Sequence, residues 1–242
     1  MSAQAVLPPP EAQIMSLSAP SSVAAATPFH ALRARAQRRA AYTLAVQTAV
    51  AYRYGQIDRA LMRHRAELGQ IYNFRPLMLD NGRMMPPVIE GSRQAFRLYS
   101  TRHASSAVTV YRIDRAARLT TVEPTWRGYL IREYHVVRVV PALLPRNHVE
   151  RKRWRAAVAR GWKAGVVLAG QLFRQNLARL TRDMVGAIRF KRLVLQHVVA
   201  APVVSASDPH VAFEGNTLEI GRRDFLLTRQ AHWQSEGAWR PR

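Results

Sequence analysis

The sequence predicts an α+β fold: two long helices packed on a small, mainly antiparallel sheet, with a disordered N-terminal tail. Three observations lead there. Residues 28–69 and 147–197 repeat their apolar positions every three to four residues with few breakers. The segments between and after them switch to short runs of aromatic and β-branched residues, bounded by turn signals. Residues 1–28 are rich in Ala, Ser and Pro, with Pro8, Pro9, Pro10, Pro20 and Pro28, a composition that buries too little to fold. At 242 residues and 48% apolar, the chain suits one domain plus tails.

The elements follow in order. Thr27-Pro28 reads as an N-cap and first-turn proline. The helix it opens carries Leu32, Ala36, Ala40, Leu44, Thr48, Ala51, Gly55, Asp58 and Met62 along one face and ends near Gly69. Arg33, Arg35, Arg38 and Arg39 at its start oppose the helix dipole. Asp80-Asn81-Gly82 signals a turn. Pro86-Pro87 confines its neighbourhood to an edge or an irregular, exposed segment. Phe96–Tyr99 and Val108–Ile113 read as antiparallel strands, and 119–122 as another. Pro141 and Pro145 end the run 136–140. Asn147 with Glu150 is a capping pattern, opening a helix that reaches about Leu180. A second helical stretch follows to His197, with Gly186 as the position where a kink would fall. Short strands lie near 203, 211, 218 and 225, separated by Asp208-Pro209, Glu214-Gly215-Asn216 and Gly221. Residues 234–242 read as a frayed tail.

Composition removes several chemistries. There is no cysteine, hence no disulfide, thiolate ligand, cysteine nucleophile or acylated lipoprotein cysteine in these residues. His148-Val149-Glu150 has the H-x-E of zinc deaminases without the cysteine pair that site needs. No H-E-x-x-H, phosphate-binding loop or nucleophile elbow is present, so no catalytic, metal or cofactor site is expected. No run approaches the length of a spanning helix, and no basic start followed by an apolar run marks an export signal. The net charge is +22, yet 34 of the 37 cations are arginines spread along the chain. That skew points to arginine-rich composition more than to a nucleic-acid surface.

One segment stands out. Between Asn147 and Gly186, Trp154 and Trp162 share a helix face with Gly161 and Gly165. Two helical glycines cost about 1 kcal/mol each relative to Ala. The cost suggests that another backbone or a large ring approaches closely, and packing by a neighbouring element is favoured over a partner interface. The tryptophans read as core anchors, and Arg182-Asp183 as an ion-paired structural end.

An ordered series of residues also resembles a known family. The series is Pro86-Pro87-Val88-Ile89, then Trp126-Arg127-x-Tyr129-Leu130, then Pro141-x-Leu143-Leu144-Pro145. It continues through Glu150, Trp154, Val158, Gly161-Trp162 and Gly165, and closes on Phe173, Asn176-Leu177, Arg179-Leu180, Arg182-Asp183 and Gly186. Its order and spacing resemble the DotC family of type IVB secretion systems, called TraI in conjugative plasmids. The resemblance covers residues 29–233 as a single DotC-like domain. It implies a non-enzymatic subunit of an outer-membrane core complex, assembled with DotD-like and DotH-like proteins for transfer of DNA or protein. It implies a place at the cell envelope, in the periplasm or at the outer membrane. This chain differs in having neither signal peptide nor lipobox cysteine, so membrane association is expected through partners. Partner surfaces are expected at the Pro86-Pro87 segment and along residues 127–145. The alternative reading, from the charge and the missing export signal, is a cytoplasmic basic protein that binds nucleic acid.

Overall fold

The computed structural model describes residues 9–19, 30–136 and 138–240. Among these, five α-helices run Pro9–Ser16 (α1), His30–Arg63 (α2), Arg65–Ile71 (α3), Trp126–Leu130 (α4) and His148–Leu195 (α5). The strands are Met84–Met85 (β1), Val88–Ser100 (β2), His103–Arg115 (β3), Arg118–Leu119 (β4) and Val199–Ala200 (β5). They continue as Val203–Ala206 (β6), His210–Glu214 (β7), Thr217–Arg222 (β8), Phe225–Arg229 (β9) and His232–Trp233 (β10). The class is α+β, and every strand pairing is antiparallel. The strands divide into five two-stranded sheets rather than forming one. The chain forms two compact units, each made of two segments: Met1–Leu68 with Arg127–Leu177, and Gly69–Trp126 with Ala178–Arg242.

The first unit is built on α2 and the N-terminal part of α5. Gln37 lies against Glu150, Ala45 against Gly161, Ala49 against Gly165 and Tyr54 against Asn176. Partner numbers rise together, so the two helices run parallel. The buried stripe of α2 is Gln37, Ala41, Leu44, Ala45, Ala49, Val50 and Tyr54. This corrects the expected stripe, of which Leu44 is buried while Leu32 and Met62 are exposed. In an alanine-rich helix several faces satisfy the 3.6 period. The glycines of the facing helix select the face whose side chains are small enough to meet them.

Residues 9–19 depart from the disordered tail expected of 1–28. Pro9-Pro10 opens α1, where a preset φ favours helix entry. Ile14 and Met15 then pack on the cluster around Trp154. The Trp154 indole N–H donates to the Ile14 carbonyl at 2.8 Å, and the Ala19 N–H to the Pro145 carbonyl at 3.0 Å. Burial of Ile14 gives this short segment the apolar contact its composition alone did not promise. The predicted cap at Thr27-Pro28 lies outside the described residues.

Helix α5 starts as its sequence specifies, with the Glu150 N–H bonded to Asn147 Oδ1 at 2.9 Å. It then runs unbroken through Gly186 to Leu195. His197 takes a left-handed φ of 57° just past its end, and the Val198 N–H reaches back to the Leu193 carbonyl.

In the second unit Asp80, Asn81 and Gly82 all take positive φ, turning the chain so that Leu79 bridges Met84. Met84 to Ile89 is continuously buried. The expectation of an exposed Pro86-Pro87 is therefore corrected: the prolines interrupt strand pairing between β1 and β2, as their missing N–H requires, but inside the unit. β2 and β3 form a long hairpin with Ile89 opposite Ile113. Ile89, Phe190, Leu193 and Val199 form one core cluster of the unit. The C-terminal residues, expected to fray, are tied down: Arg240 N–H bonds the Gln196 carbonyl and Gln234 N–H the Val198 carbonyl, both at 2.9 Å.

Candidate functional site

The residues singled out by sequence fall into two frameworks and leave two surfaces. The first framework is the α2–α5 seam. A Cβ at Gly161 would lie 2.5 Å from the Tyr42 carbonyl oxygen, and one at Gly165 would lie 2.6 Å from that of Val46. No larger residue fits without moving helix backbone. Ala45 and Ala49 oppose the two glycines, so both helices use their smallest side chains where they meet. Trp154 and Trp162 flank the seam, both buried, and Tyr52 tilts against Trp162 at 5.7 Å between ring centroids.

Glu150 joins this seam to the loop before α5. Its carboxylate accepts the Arg146 N–H at 2.8 Å, Gln37 Nε2 at 3.3 Å and Arg33 Nε at 3.4 Å. Burial pushes the Glu150 carboxyl up, and the Arg146 amide, Arg33 and Gln37 together outweigh it, so the group ends below its ordinary value. Arg33 also donates to the carbonyls of Ala142 and Leu144. Pro141 is exposed, Leu144 is half-buried against the Trp154 cluster, and Pro145 is buried. Of the 127–145 segment, Tyr129 and Leu130 are also buried. Its exposed part is therefore narrower than the sequence suggests.

The second framework is ionic. Asp183 is fully buried on α5 and accepts a hydrogen bond from Arg115 of β3. Arg182 Nε lies 3.6 Å from Asp183 and 3.8 Å from Asp114. Arg112 extends the network to Glu90 at 2.7 Å, holding the Glu90 carboxyl below its ordinary value. The same stretch of α5 touches β2 at Gly186, where a Cβ would lie 2.5 Å from Val88 Cγ1. Pro86, Pro87 and Trp126 are buried in this unit. One open depression of about 900 Å³ is lined by Arg83, Thr120, Arg223, Asp224 and Phe225, with the Arg83 guanidinium over the Phe225 ring. No cluster of metal-ligating side chains occurs among the described residues.

The first surface was not singled out by sequence. In the β7–β8 hairpin Val211 pairs with Ile220 and Phe213 with Leu218, so all four share one face. That face is open, with Phe213 78% and Ile220 80% exposed. The β2–β3 hairpin likewise presents Phe96, Leu98 and Val108 on one face, Val108 being 83% exposed. The alternation in Val211-x-Phe213 and Leu218-x-Ile220 was the available signal. Alternation reveals a two-faced strand, but not whether anything covers the apolar face. The second surface is the cationic outside of α2 and α5.

A comparison with curated proteins finds no match. A comparison with protein families matches residues 31–241 to T4SS_TraI, described as type IV secretory system, conjugal DNA-protein transfer. The match spans both units and every framework above. The chain belongs to the TraI family of type IV secretory systems, components of conjugal DNA–protein transfer.

Proposed function

We propose that the chain is a non-catalytic structural and assembly subunit of a type IV secretion apparatus, of the IVB, Dot/Icm-like or conjugative kind. It works at the cell envelope, within an outer-membrane core complex facing the periplasm, beside DotD-like and DotH-like neighbours. Family membership supports the apparatus. No helix among the described residues is long and apolar enough to cross a membrane, so the reading places membrane attachment in its partners. The acids Asp183, Glu150, Glu90 and Asp114 are engaged in structural ion pairs, which favours a scaffold over an acid–base catalyst.

The open faces of the two hairpins carry the assembly reading. A two-stranded hairpin is marginal in water on its own. Contiguous exposed apolar side chains on a folded protein mark sites where other proteins dock. The test is a pull-down of envelope proteins from the native host with the full chain and with Phe213→Ser/Ile220→Ser. The wild type is expected to recover secretion-system subunits and the variant to lose them, with folding unchanged. Recovery of only cytosolic nucleoprotein by the wild type, or equal recovery of subunits by both proteins, contradicts the proposal.

A further inference from the structure

The two units divide charge unequally. Cations are shared almost evenly, nineteen Lys and Arg in the first unit and eighteen in the second. Acids are not: five in the first and ten in the second. The first unit therefore has fourteen cations more than its own carboxylates can neutralise. Arginine-rich composition accounts for the cations but not for the missing acids. The deficit is sharpest on α2 and α5, helices of 34 and 48 residues whose only acids are Asp58, Glu150 and Asp183. Glu is among the better helix formers, and Glu–Arg pairs one turn apart stabilise helices. Leaving them out forgoes that support and adds self-repulsion. Such a surface fits a ligand that supplies the negative charge.

The cations are also placed in order. Lys152, Lys163 and Arg174 recur every eleven residues, close to three helical turns, so they share one face of α5. Arg160 lies beside them, and all four are exposed, on the side away from the Gly161–Gly165 seam. This track is about 33 Å long at ~1.5 Å rise per residue. No acid interrupts it between Glu150 and Asp183.

We propose that this outer face of α5 binds the phosphate backbone of nucleic acid without sequence preference. The length of the track suits a polymer of phosphates better than a single anion. The four track residues include no aromatic side chain to stack on a base, which leaves phosphate as the group recognised. The inference goes beyond the assembly reading and does not depend on it.

The test is fluorescence anisotropy of the full chain with a 30-base-pair duplex of arbitrary sequence, over a range of salt. Binding is expected to weaken steeply, with a log–log slope of about −0.9 per phosphate contacted. Lys152→Glu/Arg160→Glu/Lys163→Glu is expected to lose at least about tenfold in affinity at ~0.1 M salt and to flatten the slope by about 3. Arg118→Glu/Arg223→Glu/Arg229→Glu changes net charge equally in the second unit and is expected to retain most of the affinity. The Gln versions of the track variant, checked by thermal melting, separate lost binding from lost folding. Equal losses in the two triple variants, or no loss in the track variant, overturn the proposal. So does binding to phosphatidylglycerol vesicles at ~0.1 M salt without binding to the duplex.

Discussion

At the scale of single residues, the glycines give the sharpest test of how α2 and α5 meet. Gly→Ala in a helix normally gains about 1 kcal/mol. Gly165 reverses that sign, because its added Cβ would press on the Val46 carbonyl at 2.6 Å and Ala49 Cβ at 2.7 Å. Gly165→Ala is expected to destabilise the protein by about 1–3 kcal/mol. Gly55, in the same unit but with open space around it, should follow the ordinary rule and stabilise by up to ~1 kcal/mol. Urea unfolding of the two variants decides; shifts of the same sign would remove the seam. Trp162 is 7% exposed, so Trp162→Ala should cost about 3–5 kcal/mol in the same experiment. A near-neutral change with lost assembly would move this face of α5 from core to interface. That Trp154, Trp162 and the glycines share a face was legible from their spacing. That alanines of α2, rather than a ring, fill the gap was not, because several faces of an Ala-rich helix look alike.

At the scale of elements, the start of α5 depends on the ionised Glu150. Asn147 caps the helix as the motif predicts, but the Glu150 carboxylate turns to the Arg146 N–H, Arg33 and Gln37. Because those contacts lower its pKa in the folded state, ionised Glu150 stabilises above the ordinary value of 4.5 and stops doing so as pH falls through the lower folded value. Stability of the wild type is therefore expected to decline below about pH 4.5. Glu150→Gln should be less stable near neutral pH and should show a shallower acid decline. Urea midpoints at pH values on both sides of that window would show it, and parallel curves for the two proteins would contradict it. The hairpins illustrate the opposite limit. Their strands were readable from period-2 runs and from Gly215-Asn216, yet the openness of their faces depends on what the rest of the chain leaves uncovered.

For the whole molecule the dominant quantity is net charge, +22 in 242 residues. Self-repulsion in the first unit has few internal carboxylates to offset it, while the second unit holds a network of ion pairs. Near physiological strength, added salt largely screens repulsion between exposed charges more than about 8–10 Å apart. The thermal midpoint is therefore expected to rise between low salt and about 0.3 M salt. A falling midpoint in a salt series would mean that attractive pairs, not repulsion, dominate.

The sequence alone settled the α+β class, the two long helices, the Asn147 cap, the turn at Asp80-Asn81-Gly82 and the ordered series that marks the family. These follow from local spacing, capping and backbone rules, which act between residues close in the chain. It misplaced the buried stripe of α2, exposed Pro86-Pro87 and left residues 9–16 without structure. Each of those depends on a partner distant in sequence: Gly161 and Gly165 for α2, the second unit's interior for the prolines, Trp154 for α1. Only the tertiary structure decided them, because burial depends on which surfaces meet, and periodicity cannot name the surface on the other side.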